Sequence, residues 1–110
     1  MNTVKLYYPS MTQDNLPIES GLSNRIYKSL CSDICKISGG LTVYPVKGYY
    51  LSSSGILIND DISLITTFTD NLEETIKIMR QYSMIILKEL NQESVLIEIN
   101  NQLEFISIEK

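Results

Sequence analysis

Near the N-terminus Val4, Leu6 and Tyr8 alternate with Lys5 and Tyr7, a period of two that predicts a half-buried strand ended by Pro9. A polar loop from Pro9 to Ser20 follows. Leu22, Ile26, Leu30, Ile34 and Ile37 then recur at helical spacing, and Gly39-Gly40 supplies a C-terminal stop. Leu41 to Val46 reads as a strand in which Pro45 cannot donate to a ladder, so it belongs at a sheet edge or at a bend placed at Lys47-Gly48. Tyr49–Leu51 and Ile56–Ile58 flank Ser52-Ser53-Ser54-Gly55, the pattern of an inserted hairpin, after which Asn59-Asp60 predicts another turn.

Ile62 to Phe68 is a further strand. Asp70 is placed to cap the next helix, with Glu73 completing a capping box. That helix starts near Asn71, and its stripe runs Leu72, Ile76, Met79, Ser83, Ile86, Leu90, widened by Ile78, Tyr82, Ile85 and Leu87. The chain closes with Val95–Ile99, an Asn100-Asn101 turn and Leu103–Ile108, a hairpin in which Leu96 faces Phe105 and Val95 faces Ile106. Both faces of this hairpin keep apolar residues. One face should pack on the helices and the other on a partner subunit, so a homo-oligomer, most simply a dimer, is expected.

Strand, helix, strand with inserted hairpin, strand, helix, strand is the order of the split βαβ unit. It predicts one α+β domain over residues 1–110: a ferredoxin-like sandwich whose antiparallel sheet carries two helices on one face and ends in a C-terminal hairpin.

Composition narrows the chemistry. Nine basic residues stand against thirteen acidic ones, a net charge of −4, and only Arg25 and Arg80 are arginines. Duplex nucleic acid, which needs a basic face, is excluded as a partner. The longest apolar run, Met84 to Leu87, is far short of the roughly 20 residues that span a bilayer, and no basic segment leads an apolar one at the start. No membrane association is expected. There is no Ala, His or Trp, while Ile, Asn, Lys and Tyr are abundant; codon usage of that kind points to a low-GC bacterium or its phage, and to the cytoplasm of a bacterial or infected host cell.

The run GGLTVYPVKGYYLSSSG from Gly39 to Gly55, followed by QESVL from Gln92 to Leu96, resembles an uncharacterised bacterial domain family. Gly40, Leu41, Thr42, Val43, Gly48, Tyr50, Gly55, Gln92, Glu93, Ser94 and Val95 carry the resemblance, with Tyr50 where that family commonly has Trp. It implies the same fold and a convergence of side chains near these motifs; it implies no activity.

Cys31 and Cys35, four apart on a helix, lack the further ligands a zinc site needs and are badly aimed for a disulfide, so they read as reduced thiols with no metal or cofactor. Without His, catalysis would fall to carboxylates such as Glu93 or Asp61, which read more simply as solvated or capping groups. Asp60-Asp61 reads as a turn and not as a metal pair. The serine-rich loop has donors for a phosphate but no helix N-terminus behind it. A ligand pocket is the better candidate: Tyr49, Tyr50 and Tyr44 could stack a base or apolar ligand, Arg25 and Arg80 could pair with a phosphate, and Ser53 could add a hydrogen bond.

Three functions compete. The leading expectation is a noncatalytic oligomer, not an enzyme, that captures a small ligand such as a nucleotide-type signal and serves as a phage-encoded inhibitor of host defence. The others are a protein-interaction module acting through an exposed sheet face, and a small dimeric α+β enzyme of the barrel type.

Overall fold

The structure, a computed structural model, describes residues 1–108. Its elements run β1 (Asn2–Tyr8), α1 (Ser20–Ser38), β2 (Thr42–Leu51), β3 (Leu57–Thr69), α2 (Leu72–Glu89), β4 (Val95–Ile99) and β5 (Gln102–Ile106). The sheet order is β2-β3-β1-β4-β5, and every neighbouring pair is antiparallel. The first four strands in this order form the expected ferredoxin-like sandwich, and β5 extends it by one.

Alternation along the strands decides which face is dry. Val4, Leu6 and Tyr8 of β1, Ile65 of β3, and Val95 and Ile97 of β4 point to the helices. There they meet Ile26, Leu30 and Ile34 of α1, and Met79, Ile86 and Leu87 of α2. Each fully buried aliphatic side chain contributes about 1.5–3 kcal/mol. Tyr8 reaches further: its hydroxyl donates to the Ser23 carbonyl oxygen at 2.8 Å, and its ring meets Tyr27 edge-on at 5.2 Å. These contacts bind the first turns of α1 to the end of β1.

The stripe of α2 is rotated from the predicted one. Thr75 is buried, while Ile76 is only half-buried and Ile85 is exposed. Hydroxyls tolerate this burial because each is satisfied within its own helix: Thr75 Oγ1 donates to the Asn71 carbonyl oxygen at 2.8 Å, and Ser83 Oγ to that of Met79 at 2.7 Å. The predicted capping box at Asp70 and Glu73 is not formed. Asn71 is the N-cap residue, without a side-chain cap bond, and its N–H donates to Thr69 Oγ1 at 2.9 Å. Thr69 is at the strand end, so it can turn its hydroxyl onto the entering backbone.

A larger correction concerns the middle of the chain. Lys47-Gly48 is not a bend and Asn59-Asp60 is not a turn; they pair across one long ladder, Lys47 with Asp61, Gly48 with Asp60 and Tyr49 with Asn59. The inserted hairpin is therefore the far end of β2 and β3, an arm turned at Ser52–Gly55, where Gly55 has φ +81°. Cross-strand pairing has overridden local turn preference. Gly48 serves close approach here: a Cβ at this position would lie 2.6 Å from Ile62 Cδ1. Pro45 sits on β2, an outer strand, as its missing N–H requires. The C-terminal hairpin has the expected register, Leu96 opposite Phe105 and Val95 opposite Ile106, turned by Asn100 and Asn101 at φ 49° and 70°.

Candidate functional site

The strand residues that point away from the helices form an open face, and the arm borders one end of it. Between them lies a groove of about 440 Å³. Gly48, Tyr49, Tyr50, Asp60 and Ile62 of the arm form one wall; Tyr7 of β1, Leu96 of β4 and Phe105 of β5 line the sheet side; Gln92, Glu93 and Ser94, which join α2 to β4, close the end.

Hydrogen bonds hold each wall. Asp60 is only 2% exposed, and its Oδ1 accepts from both the backbone N–H and the hydroxyl of Ser10, each at 2.7 Å. The Ser10 hydroxyl in turn accepts from the Asp61 N–H at 3.2 Å. The start of the β1–α1 loop is thereby stitched to β3. Gln92 donates through Nε2 to the carbonyl oxygens of Met11 at 2.7 Å and Leu90 at 3.0 Å. Glu93 reaches the arm, where its Oε1 accepts from the N–H and the hydroxyl of Ser53, each at 2.9 Å.

The electrostatics are those of an acidic, aromatic site. Burial, reinforced by the carboxylates of Asp60 and Glu93, raises the Tyr50 hydroxyl above its ordinary pKa, so it remains a neutral donor. Tyr7 donates to Glu98 Oε1 at 2.6 Å, and that bond, helped by burial and by the charge on Glu98, raises its pKa to about 12. Lys5 pairs with the other oxygen of Glu98 at 3.7 Å. Among the described residues lining the groove there is no Lys or Arg.

Of the six residues predicted to hold a ligand, the structure brings Tyr49 and Tyr50 into the groove. Ser53 is the arm's contact to Glu93, and Tyr44 lies farther along the open face of β2. The arginines are elsewhere. Arg80 of α2 makes a two-pronged ion pair with Glu104, Nε to Oε2 at 2.9 Å and Nη2 to Oε1 at 2.7 Å, and Arg25 is exposed on α1. The expected phosphate-pairing role is corrected on that ground. Asp61 also stands apart, exposed and 3.9 Å from Lys47. Sequence reasoning passed over Tyr7, Asp60, Leu96 and Phe105 as site residues. The Leu96–Phe105 pairing was available from the hairpin register, but Asp60 was hidden by its resemblance to a turn residue.

No protein-family model and no curated protein matches the sequence. In fold the chain is similar to a phage SAM lyase in complex with S-methyl-5′-thioadenosine, with a TM-score of 0.71, 15% identity, and coverage of 97% of this chain and 89% of that one. A phage SAM lyase in the apo state gives a TM-score of 0.69 at 16% identity, covering 99% of this chain and 90% of that one. The likeness establishes the shared fold. It also corrects the expectation that the chain is not an enzyme, which leaned on the absence of His: the same scaffold, over nearly its whole length, carries a lyase.

Proposed function

We propose that this chain is an enzyme of the phage SAM-lyase type, which binds the sulfonium nucleoside in the groove and releases S-methyl-5′-thioadenosine. The observation that carries the reading is the groove's composition: Asp60 and Glu93 with Tyr7, Tyr50 and Phe105, and, among the described residues, no Lys or Arg in the lining. Carboxylates and aromatic faces suit a cationic nucleoside and disfavour a phosphate-bearing one. The fold shared with a lyase supports the same reading.

The chemistry asks little of acid–base groups. As the carbon–sulfur bond breaks, its electron pair settles on sulfur and a neutral thioether departs without needing a proton. The amino-acid portion can close through its own carboxylate, so neither water nor a protein base is consumed. Charge disperses along this path, so an apolar wall such as Ile62, Leu96 and Phe105 suits the transition state better than the fully charged ground state. The carboxylates serve binding and orientation. In an infected cell, consumption of this methyl donor would be the route by which the protein counters host defence.

Incubation of the purified protein with SAM should produce S-methyl-5′-thioadenosine, detected by liquid chromatography, and the thioether should bind in calorimetry while AMP does not. Absence of both product and binding heat would overturn the reading.

The open face also supports assembly into a homo-oligomer. Tyr44 and Phe68 on one side of it and Leu103 and Phe105 on the other are between 51% and 67% exposed, flanking the Lys5–Glu98 pair, so the face offers aromatic and aliphatic margins around a charged centre. A second copy laid on this face would narrow the open side of the groove. Light scattering at roughly tens of micromolar should report more than one subunit. A monomer at that concentration would remove this part of the proposal.

A further inference from the structure

We infer that Glu93 is a positioning residue: a latch that holds the β2–β3 arm against the α2–β4 connection and so sets where Tyr50 stands over the groove. As a statement about the arm it rests on geometry alone; only its effect on ligand rests on the proposed function.

The arm has a fixed root and a tip that, Ser52 apart, is exposed from residue 53 to residue 57. Ile58 is fully buried and Asp60 nearly so, which secures the root. Beyond them Leu51 and Leu57 pair with each other across the ladder and are exposed at 69% and 59%. A two-stranded ribbon with little apolar cover is marginal in water, so its mean position is set by the contacts made at its end. The tip itself is internally ordered: the Ser52 N–H donates to the Ile56 carbonyl oxygen at 2.9 Å, the Gly55 N–H to that of Ser52 at 2.9 Å, and the Ser52 and Ser54 hydroxyls lie 2.9 Å apart. It can therefore move as a unit.

Ser53, at this tip, delivers its N–H and hydroxyl to one oxygen of Glu93. Both bonds are charge-assisted, the stronger class. The other side of the latch does not yield. Glu93 follows Gln92, which is buried and bonded through its side chain to Met11 and Leu90 and through its N–H to the Leu87 carbonyl oxygen at 3.2 Å. Tyr50, near the end of β2, is three residues before Ser53 of the turn and within the field of both Asp60 and Glu93. Releasing Ser53 would let that ring swing from the sheet-side wall formed by Tyr7, Leu96 and Phe105.

Both bonds from Ser53 fall on one oxygen of Glu93, so toward Ser53 the amide oxygen of Gln keeps an acceptor, whereas Ala removes it. Hydrogen exchange on the free protein reads the latch directly. In Glu93→Ala the amides of residues 49–57 should exchange roughly tenfold faster, the loss expected from removing hydrogen bonds to a charged group, with β1 and α2 unchanged. In Glu93→Gln, which keeps the acceptor and loses the charge, the increase should be smaller, roughly threefold. Calorimetry with S-methyl-5′-thioadenosine should show Kd raised about tenfold in Glu93→Ala and restored to within about threefold in Glu93→Gln. Unchanged exchange in Glu93→Ala overturns the latch. So does a Gln variant that binds as poorly as the Ala variant, because the bonds to Ser53 would then not be what sets binding. If the wild type binds no thioether, the proposed function fails, and the exchange measurement still decides the latch.

Discussion

Ile86→Asp is expected to abolish folding. Ile86 has no exposed surface and lies in the cluster that joins α2 to β1 and β4. The change removes apolar burial and places a carboxylate where no basic partner can follow it; the combined cost, about 4 kcal/mol or more, approaches the whole stability of a domain this size. The variant should show no cooperative thermal transition by circular dichroism. Ile85→Asp is the control: one residue earlier, at an exposed position, the same chemistry should cost about 0.5 kcal/mol or less. A soluble Ile86→Asp protein that melts cooperatively near the wild-type temperature would show that α2 packs through another face.

The second large effect separates stability from function at Asp60. Removing its carboxylate in Asp60→Ala strands the N–H and hydroxyl of Ser10, which share Oδ1. A buried donor left without its charged acceptor costs about 2–3 kcal/mol, and for a domain near this length that is a fall in Tm of roughly 8–20 °C. Asp60→Asn keeps an oxygen at the accepting position, so its Tm should stay within about 5 °C of the wild type. It removes the negative charge from the groove, however, and formation of S-methyl-5′-thioadenosine should fall at least tenfold, an electrostatic contribution of ordinary size. Differential scanning fluorimetry and chromatography on the same preparations check both halves. An Asn variant that melts normally and turns over at the wild-type rate would take Asp60 out of the proposed site.

The parts of the fold legible in the sequence are those governed by local periodicity. Ile26, Leu30 and Ile34 mark the buried side of α1, Gly39 stops it with φ +87°, and Asn100-Asn101 fixes the register of the last hairpin. What escaped reading depends on partners distant in the chain. Gly48 and Asp60 look like turn formers on their own and become strand residues because they face each other, with Ser10, fifty positions before Asp60, drawing its carboxylate inward. Arg80 looks like a free cation until Glu104 is brought beside it by the β4–β5 hairpin. The groove draws on Tyr7, Asp60, Glu93 and Phe105, so no single window contains it. Tyr50 is legible as a candidate from its motif, whereas Glu93, in the other motif, reads as a solvated or capping group until the fold brings Ser53 beside it.

Pro45 closes one margin of the sheet to further strands. It lies on β2, at one margin of the sheet, opposite Ser63. A strand arriving along that margin would find a ring carbon where the ladder needs a donor, and Lys47 two residues on would bring its charge to the same rim. Lengthening the sheet from molecule to molecule is blocked there, and with it one route to open-ended fibres.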